Sequence, residues 1–210
     1  MDFNINDLLR NVGLSAVSAI PVGGGILSYL LDKKIPEQIV LRYSSFLKEF
    51  EKDILSLNRK IDYEQFETPQ FYSMFVKVLN EVIESHIEDK RVIFKNMLLN
   101  TLNNEWNYDK NDFFYLLTRE FSTDELKYLL LYYLRIPEKS KENDSAIVVR
   151  IMMRKLPEQK DYILSMVSKM NRLGLVTGKA LTKFGKEYCE FVFQPLQADD
   201  WIKHLKYDHL

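Results

Sequence analysis

The sequence predicts an all-α fold, a helical bundle followed by a smaller helical domain with a short β-hairpin, on three observations. Only seven glycines and six prolines occur in 210 residues, which favours long regular elements over a loop-rich β architecture. Apolar side chains recur every three or four residues through most of the chain, the period of one helix face. Helix-start signals of the Thr-Pro and Ser-x-x-Glu kind stand at the head of several of these stretches. With 46% hydrophobic and 13% aromatic residues, the chain has enough apolar surface for one large or two small packed domains.

The chain opens on a short amphipathic stretch and then an uncharged run, residues 11–31 (NVGLSAVSAIPVGGGILSYLL), which holds four of the seven glycines. Pro21 with Gly23, Gly24 and Gly25 breaks it into two apolar halves, so it reads as a helical hairpin centred on Ile20, Pro21, Val22, Gly23, Gly24, Gly25, Ile26 and Leu27. Its length approaches that of a membrane span, but the serines, proline and glycines make a poor continuous helix. Burial in the bundle is therefore the leading expectation, with conditional membrane contact or an oligomer interface as alternatives. The glycines do not form a phosphate loop, since no Gly-Lys-Ser/Thr follows and no strand precedes them. Asp2 and Asp7 ahead of Arg10 do not resemble a secretory leader.

From Pro36 the stripe Ile39, Tyr43, Phe46, Phe50, Ile54, Leu57 and Ile61 predicts a long amphipathic helix, with Lys48, Glu49, Glu51, Lys52 and Asp53 as its solvated face. Thr68 and Pro69 start a second helix along Phe71, Met74, Phe75, Val78, Leu79, Val82 and Ile83. Val92, Ile93, Met97, Leu98 and Leu102 continue the helical pattern, with or without a break over residues 85–90. Asn111 is the expected cap of a helix over 112–121, and Ser122-Thr123-Asp124-Glu125 that of a helix over 123–136.

Residues 137–144 (PEKSKEND) read as a loop, followed by helices over 145–155 and 157–173. Gly174 ends the second of these, and residues 175–181 make two small strands around a turn at Gly178. A last helix covers 183–193, and the tail from 196 carries Trp201 and Leu205 as docking points. The expected division is a bundle over 1–121, a second domain over 122–195 and a tail over 196–210.

Nothing in the sequence builds catalysis. His86 lies among Glu81, Glu84, Glu88 and Asp89, but Glu84 and His86 are two residues apart and point to different helix faces. No HExxH, Gly-x-Ser-x-Gly or Cys-x-x-Cys occurs, so neither a metal nor another cofactor nor a small-molecule substrate is expected. The single cysteine, Cys189, makes no internal disulfide and fits a reducing cytoplasm. It reads as a small, half-buried apolar group.

Charge is more informative. Residues 145–186 hold nine basic and two acidic side chains, a formal +7 in a chain of net charge −1. Segregation of this kind is the footprint of a phosphate-binding surface. The stretch MVSKMNRLGLVTGKALTKFGKEY, a helix leaving through Leu-Gly-Leu-Val into a hairpin and then a helix, resembles the winged-helix class of helix-turn-helix domains over residues 122–193. That resemblance implies a helix in the major groove of DNA and a wing on the adjacent backbone.

Arg150, Arg154, Lys155, Lys169, Arg172, Lys179 and Lys183 are the expected phosphate contacts, and Asn171 and Arg172 the expected base readers. The buried stripe of the reading helix is then Ile163, Leu164, Val167, Met170 and Leu173. The leading expectation is a non-enzymatic, DNA-binding protein whose bundle oligomerises or docks a protein partner. Residues 12–102, with IPVGGGILSYLL at their head, are also similar to uncharacterised bacterial helical proteins of the abortive-infection alpha type. That similarity implies the alternative of a phage-defence effector acting on membranes through the hairpin, with the winged helix as a protein-interaction module.

Overall fold

The computed structural model describes residues 37–56, 63–84, 88–102, 107–134, 144–155, 159–177 and 180–194. The uncharged run at 11–31, Lys179 and the tail lie outside the described residues. The described residues hold eight α-helices and a 3-10 turn, with no β-strand, and fall into two compact units, 1–112 and 113–210. The expected boundary, after residue 121, lies further along the chain. Among the described residues no helix is long and apolar enough to cross a membrane.

In the first unit, α1 (Glu37–Ser56), α2 (Pro69–Glu84) and α3 (Glu88–Thr101) pack on one another, and the 3-10 turn Tyr63–Glu67 packs on α2. The periodic stripe of α1 is the reason: Tyr43, Phe46 and Phe50 are buried and Ile39 and Ile54 partly so. Phe50 meets Phe75 of α2 with ring centroids 6.5 Å apart, and Phe71 and Phe75 stack at 5.8 Å one turn apart. Thr68 caps α2 as expected, accepting from the Phe71 N–H at 3.1 Å while its hydroxyl donates to the Gln65 carbonyl at 2.8 Å.

Three features of this unit depart from expectation. α3 is buried without interruption from Val92 to Asn100, so it has no solvent face at all over that stretch. Lys95, 8% exposed, is met by Glu49 at 3.2 Å and Asp53 at 2.8 Å, one turn apart on α1. The acidic face of α1 is therefore partly a binding site for a buried cation and not only a solvated surface. Further along, α4 (Tyr108–Glu120) begins earlier than expected and is capped by Asn107, whose Oδ1 accepts from the Lys110 N–H at 3.3 Å. Asn111 is not the cap. It lies inside the first turns of α4, 4% exposed, because the helix has already begun at Tyr108. Within this unit Asp112 pairs with Lys77 of α2, and the Tyr108 hydroxyl donates to Ser73.

In the second unit, α5 (Thr123–Leu134) packs on α6 (Asp144–Lys155) and on α8 (Lys183–Phe193), and α6 packs on α7 (Lys160–Arg172). The capping box is complete: the Ser122 N–H donates to Glu125 Oε2 at 2.8 Å and the Glu125 N–H to Ser122 Oγ at 3.2 Å. An aromatic cluster fills the core, with Phe114 against Phe184, Tyr188 and Phe191 at 5.4–5.7 Å and Phe121 against Tyr188 at 5.9 Å. Tyr188 is fully enclosed, and its one polar atom lies 2.9 Å from Thr118 Oγ1. The Thr118 hydroxyl donates to the Phe114 carbonyl at 2.8 Å, which leaves Tyr188 as donor to Thr118. Burial pushes the Tyr188 phenol well above its ordinary value. Cys189 is wholly buried, where half-burial was expected, and burial likewise raises its thiol, so the group is unreactive in the fold.

Candidate nucleic-acid interface

The exit of α7 is fixed by hydrogen bonds to its last turn. The Gly174 N–H donates to the Asn171 carbonyl at 3.0 Å, and the left-handed φ of 71° at Gly174 then turns the Leu175 N–H back to the Met170 carbonyl at 3.1 Å. The chain then turns between Val176 and Leu181, which form a single antiparallel bridge, and Thr177 N–H donates to the Ala180 carbonyl at 2.8 Å. Where the sequence leads one to expect two strands, the described residues pair only once. Thr182 closes the turn: its hydroxyl donates to the Gly174 carbonyl at 2.6 Å and accepts from the Gly185 N–H at 2.8 Å as the cap of α8. Arg172 and Lys183 therefore flank one tight junction.

α7 itself is rotated relative to the expected stripe. Ile163, Met166 and Met170 are buried, whereas Leu164 is 44% exposed. A partly exposed lysine accompanies this face, turned toward the start of α5. Lys169 sits 2.8 Å from Glu125 Oε1, donates to Oε2 at 3.0 Å and lies 5.0 Å above the Phe121 ring. Glu125 is itself buried and completes the cap of α5, so the ion pair ties the start of α5 to α7. A second tie is the contact of Ser122 Oγ with the Tyr162 hydroxyl at 3.1 Å. Nothing local in the sequence distinguishes Lys169 from its neighbours; the signal is Glu125, a capping residue 44 positions away.

The outward face of α7 that results carries Asp161, Leu164, Ser165, Ser168, Asn171 and Arg172. Asn171 folds its amide back to donate to the Val167 carbonyl at 2.9 Å. On α6, Arg150 and Arg154 are exposed one turn apart, opposite the buried Val148 and Met152. Lys160, Lys183 and Lys186 are also exposed, Lys186 in a loose pair with Glu190 at 3.8 Å. Lys155 belongs to α6, with its side chain outside what is described, as is Lys179. Of the expected contacts, the structure thus places Arg150, Arg154, Arg172 and Lys183 at the surface, turns Lys169 inward, and exposes Asn171 with its amide already bonded.

Elsewhere, a cavity of about 110 Å³ between α1 and α3 is lined by Arg42, Ser45, Glu49, Glu88 and Arg91, whose balanced charges favour neither sign of ligand. Among the described residues no group of three or more His, Cys, Asp or Glu side chains could hold a metal ion. Compared with protein-family models, with curated proteins and with solved structures, the chain matches none.

Proposed function

We propose that the second unit is a winged-helix-like module that binds DNA through the exposed cations of α6, α7 and α8. The observation that carries this reading is the surplus of exposed basic side chains, Arg150, Arg154, Lys160, Arg172, Lys183 and Lys186, on helices whose outward faces expose few acids. The order of elements supports it: a helix that ends in a left-handed glycine, a short turn with one bridge, and a capped helix that returns to the core. The first unit then serves as the oligomerisation or partner-docking module of a non-enzymatic cytoplasmic protein.

Fluorescence anisotropy of a labelled duplex, titrated with the full chain over a salt series, tests the proposal. Neutralising about four phosphates predicts a log–log salt slope near about −4. Absence of binding at about 50 mM salt, where phosphate contacts are strong, would remove it.

A further inference from the structure

We infer that this surface recognises the duplex form of nucleic acid through its phosphates and does not read base sequence; the inference rests on the proposal of a nucleic-acid interface. Sequence reading in the major groove requires side chains that address base edges in pairs, above all arginine to guanine and asparagine to adenine. Such residues must stand together on the outward face of the inserted helix, toward its N-terminal end.

α7 lacks that set. Its outermost polar residues, Lys160 beside Asp161 at the start and Arg172 at the end, stand twelve steps apart, about 18 Å of helix, too far to address one base pair together. The outward positions between them, besides Asp161, are Tyr162, whose hydroxyl is engaged with Ser122 at 3.1 Å, and Leu164, Ser165, Ser168 and Asn171. Serine hydroxyls serve as donor or acceptor to any base, so they discriminate weakly. Asn171, the expected adenine reader, has its amide turned along the helix to the Val167 carbonyl at 2.9 Å. Lys169, the one long cation in the middle of α7, is held by Glu125 at 2.8 Å. Arg172 is the last residue of the helix, beside the junction with Lys183, where a side chain meets backbone more readily than base.

The turn after α7 points the same way. Among the described residues it pairs only at the Val176–Leu181 bridge, beside the bond from Thr177 N–H to Ala180, with no strand pair of the kind a wing would lay on a neighbouring groove. The remaining contacts are long, exposed cations on three helices, the residue type that follows a phosphate track. Affinity is then set by charge count and salt, with every duplex bound alike.

The test uses the full chain and a randomised duplex library of about 20 base pairs, followed by anisotropy on individual duplexes at low salt. The expected result is no enriched motif after repeated selection, dissociation constants within about threefold for AT-rich and GC-rich duplexes, and an Arg172→Ala variant that weakens all of them equally. Enrichment of a motif bound more than about thirtyfold better than the library overturns this inference and leaves the DNA proposal standing. Failure to bind any duplex overturns both.

Discussion

In the first unit the helices meet through side chains, with Phe50 on Phe75 and the Lys95 ammonium between Glu49 and Asp53. In the second, the exit of α7 and the entry of α8 meet through backbone. A Cβ on Gly185 would stand 1.8 Å from the Leu175 carbonyl oxygen, and the Thr182 N–H donates to that same carbonyl at 3.0 Å. A seam of side chains can relax by rotamer change, whereas a backbone contact has nothing to move except the helix itself. The two units therefore differ in which substitutions they tolerate, and the difference is measurable.

The largest effect is expected at Gly185. Its substitution by alanine forces the start of α8 away from Leu175, and we expect a loss of about 3 kcal/mol in urea unfolding followed by circular dichroism. A loss below about 1 kcal/mol would show that the junction yields as easily as the side-chain seam, and the contrast between the units would fall.

Lys95→Ala comes next, with an expected loss of about 2 kcal/mol. The figure sits below that for a fully enclosed pair because Glu49 is 56% exposed and returns to water when its partner is removed. Lys95→Met keeps the buried stem and removes the charge, so a cost much smaller than that of alanine would assign the seam to packing and not to the ion pair.

The caps were legible in the sequence because each is satisfied within a few residues of itself. Thr68 with Pro69, Ser122 with Glu125, and Gly174 all do what their local chemistry requires. Choices made by distant neighbours were not legible. Asn107 and Asn111 stand one turn apart and are chemically alike, and only the earlier start of α4 decides that Asn107 caps. On α7, Ile163, Leu164, Met166, Val167 and Met170 are compatible with two apolar stripes, and the capture of Lys169 by Glu125 accompanies the one observed. Lys95 looked like any helix lysine, since its partners lie more than forty residues earlier. The candidate surface was legible as charge but not as a face, because burial divides its cations into outward and inward ones.

Alkaline pH reaches both units through tyrosines. Burial raises Tyr43, on α1, from 10.0 to about 12, and also raises Tyr188 well above its ordinary value. A phenol that holds its proton more tightly folded than unfolded contributes stability fully below its ordinary value. That contribution is lost as pH rises through the folded one. Stability should thus hold level below pH 10.0 and decline for the Tyr43 contribution between there and about 12. A Tyr43→Phe variant should flatten this decline in the first unit, and a decline unchanged by it would place the titrating group elsewhere.

Thr182→Val separates the cap from the close approach. It preserves the β-branched shape and the space beside Leu175, but leaves the Gly185 N–H and the Gly174 carbonyl without their hydroxyl partner. The expected cost is about 1 kcal/mol, a third of that at Gly185, because water can reach the exposed carbonyl. Equal costs at the two positions would mean that hydrogen bonding, and not backbone contact, holds the junction.

The smallest effect is expected where charge alone would forecast a large one. Lys169→Met keeps an unbranched stem against Phe121 and removes the ammonium that Glu125 holds. If the lysine faces inward in solution, duplex affinity and its salt slope stay at the wild-type values, whereas Arg172→Ala lowers the slope by about 1. A drop of the same size in both variants would mean that Lys169 leaves Glu125 to reach phosphate. The contrast between inward and outward cations on α7 would then have to be abandoned. Because Glu125 also caps α5, Ser122→Ala in the wild-type background supplies the control. It weakens the cap without touching a cation, so a change in the salt slope there would trace the effect to folding and not to charge.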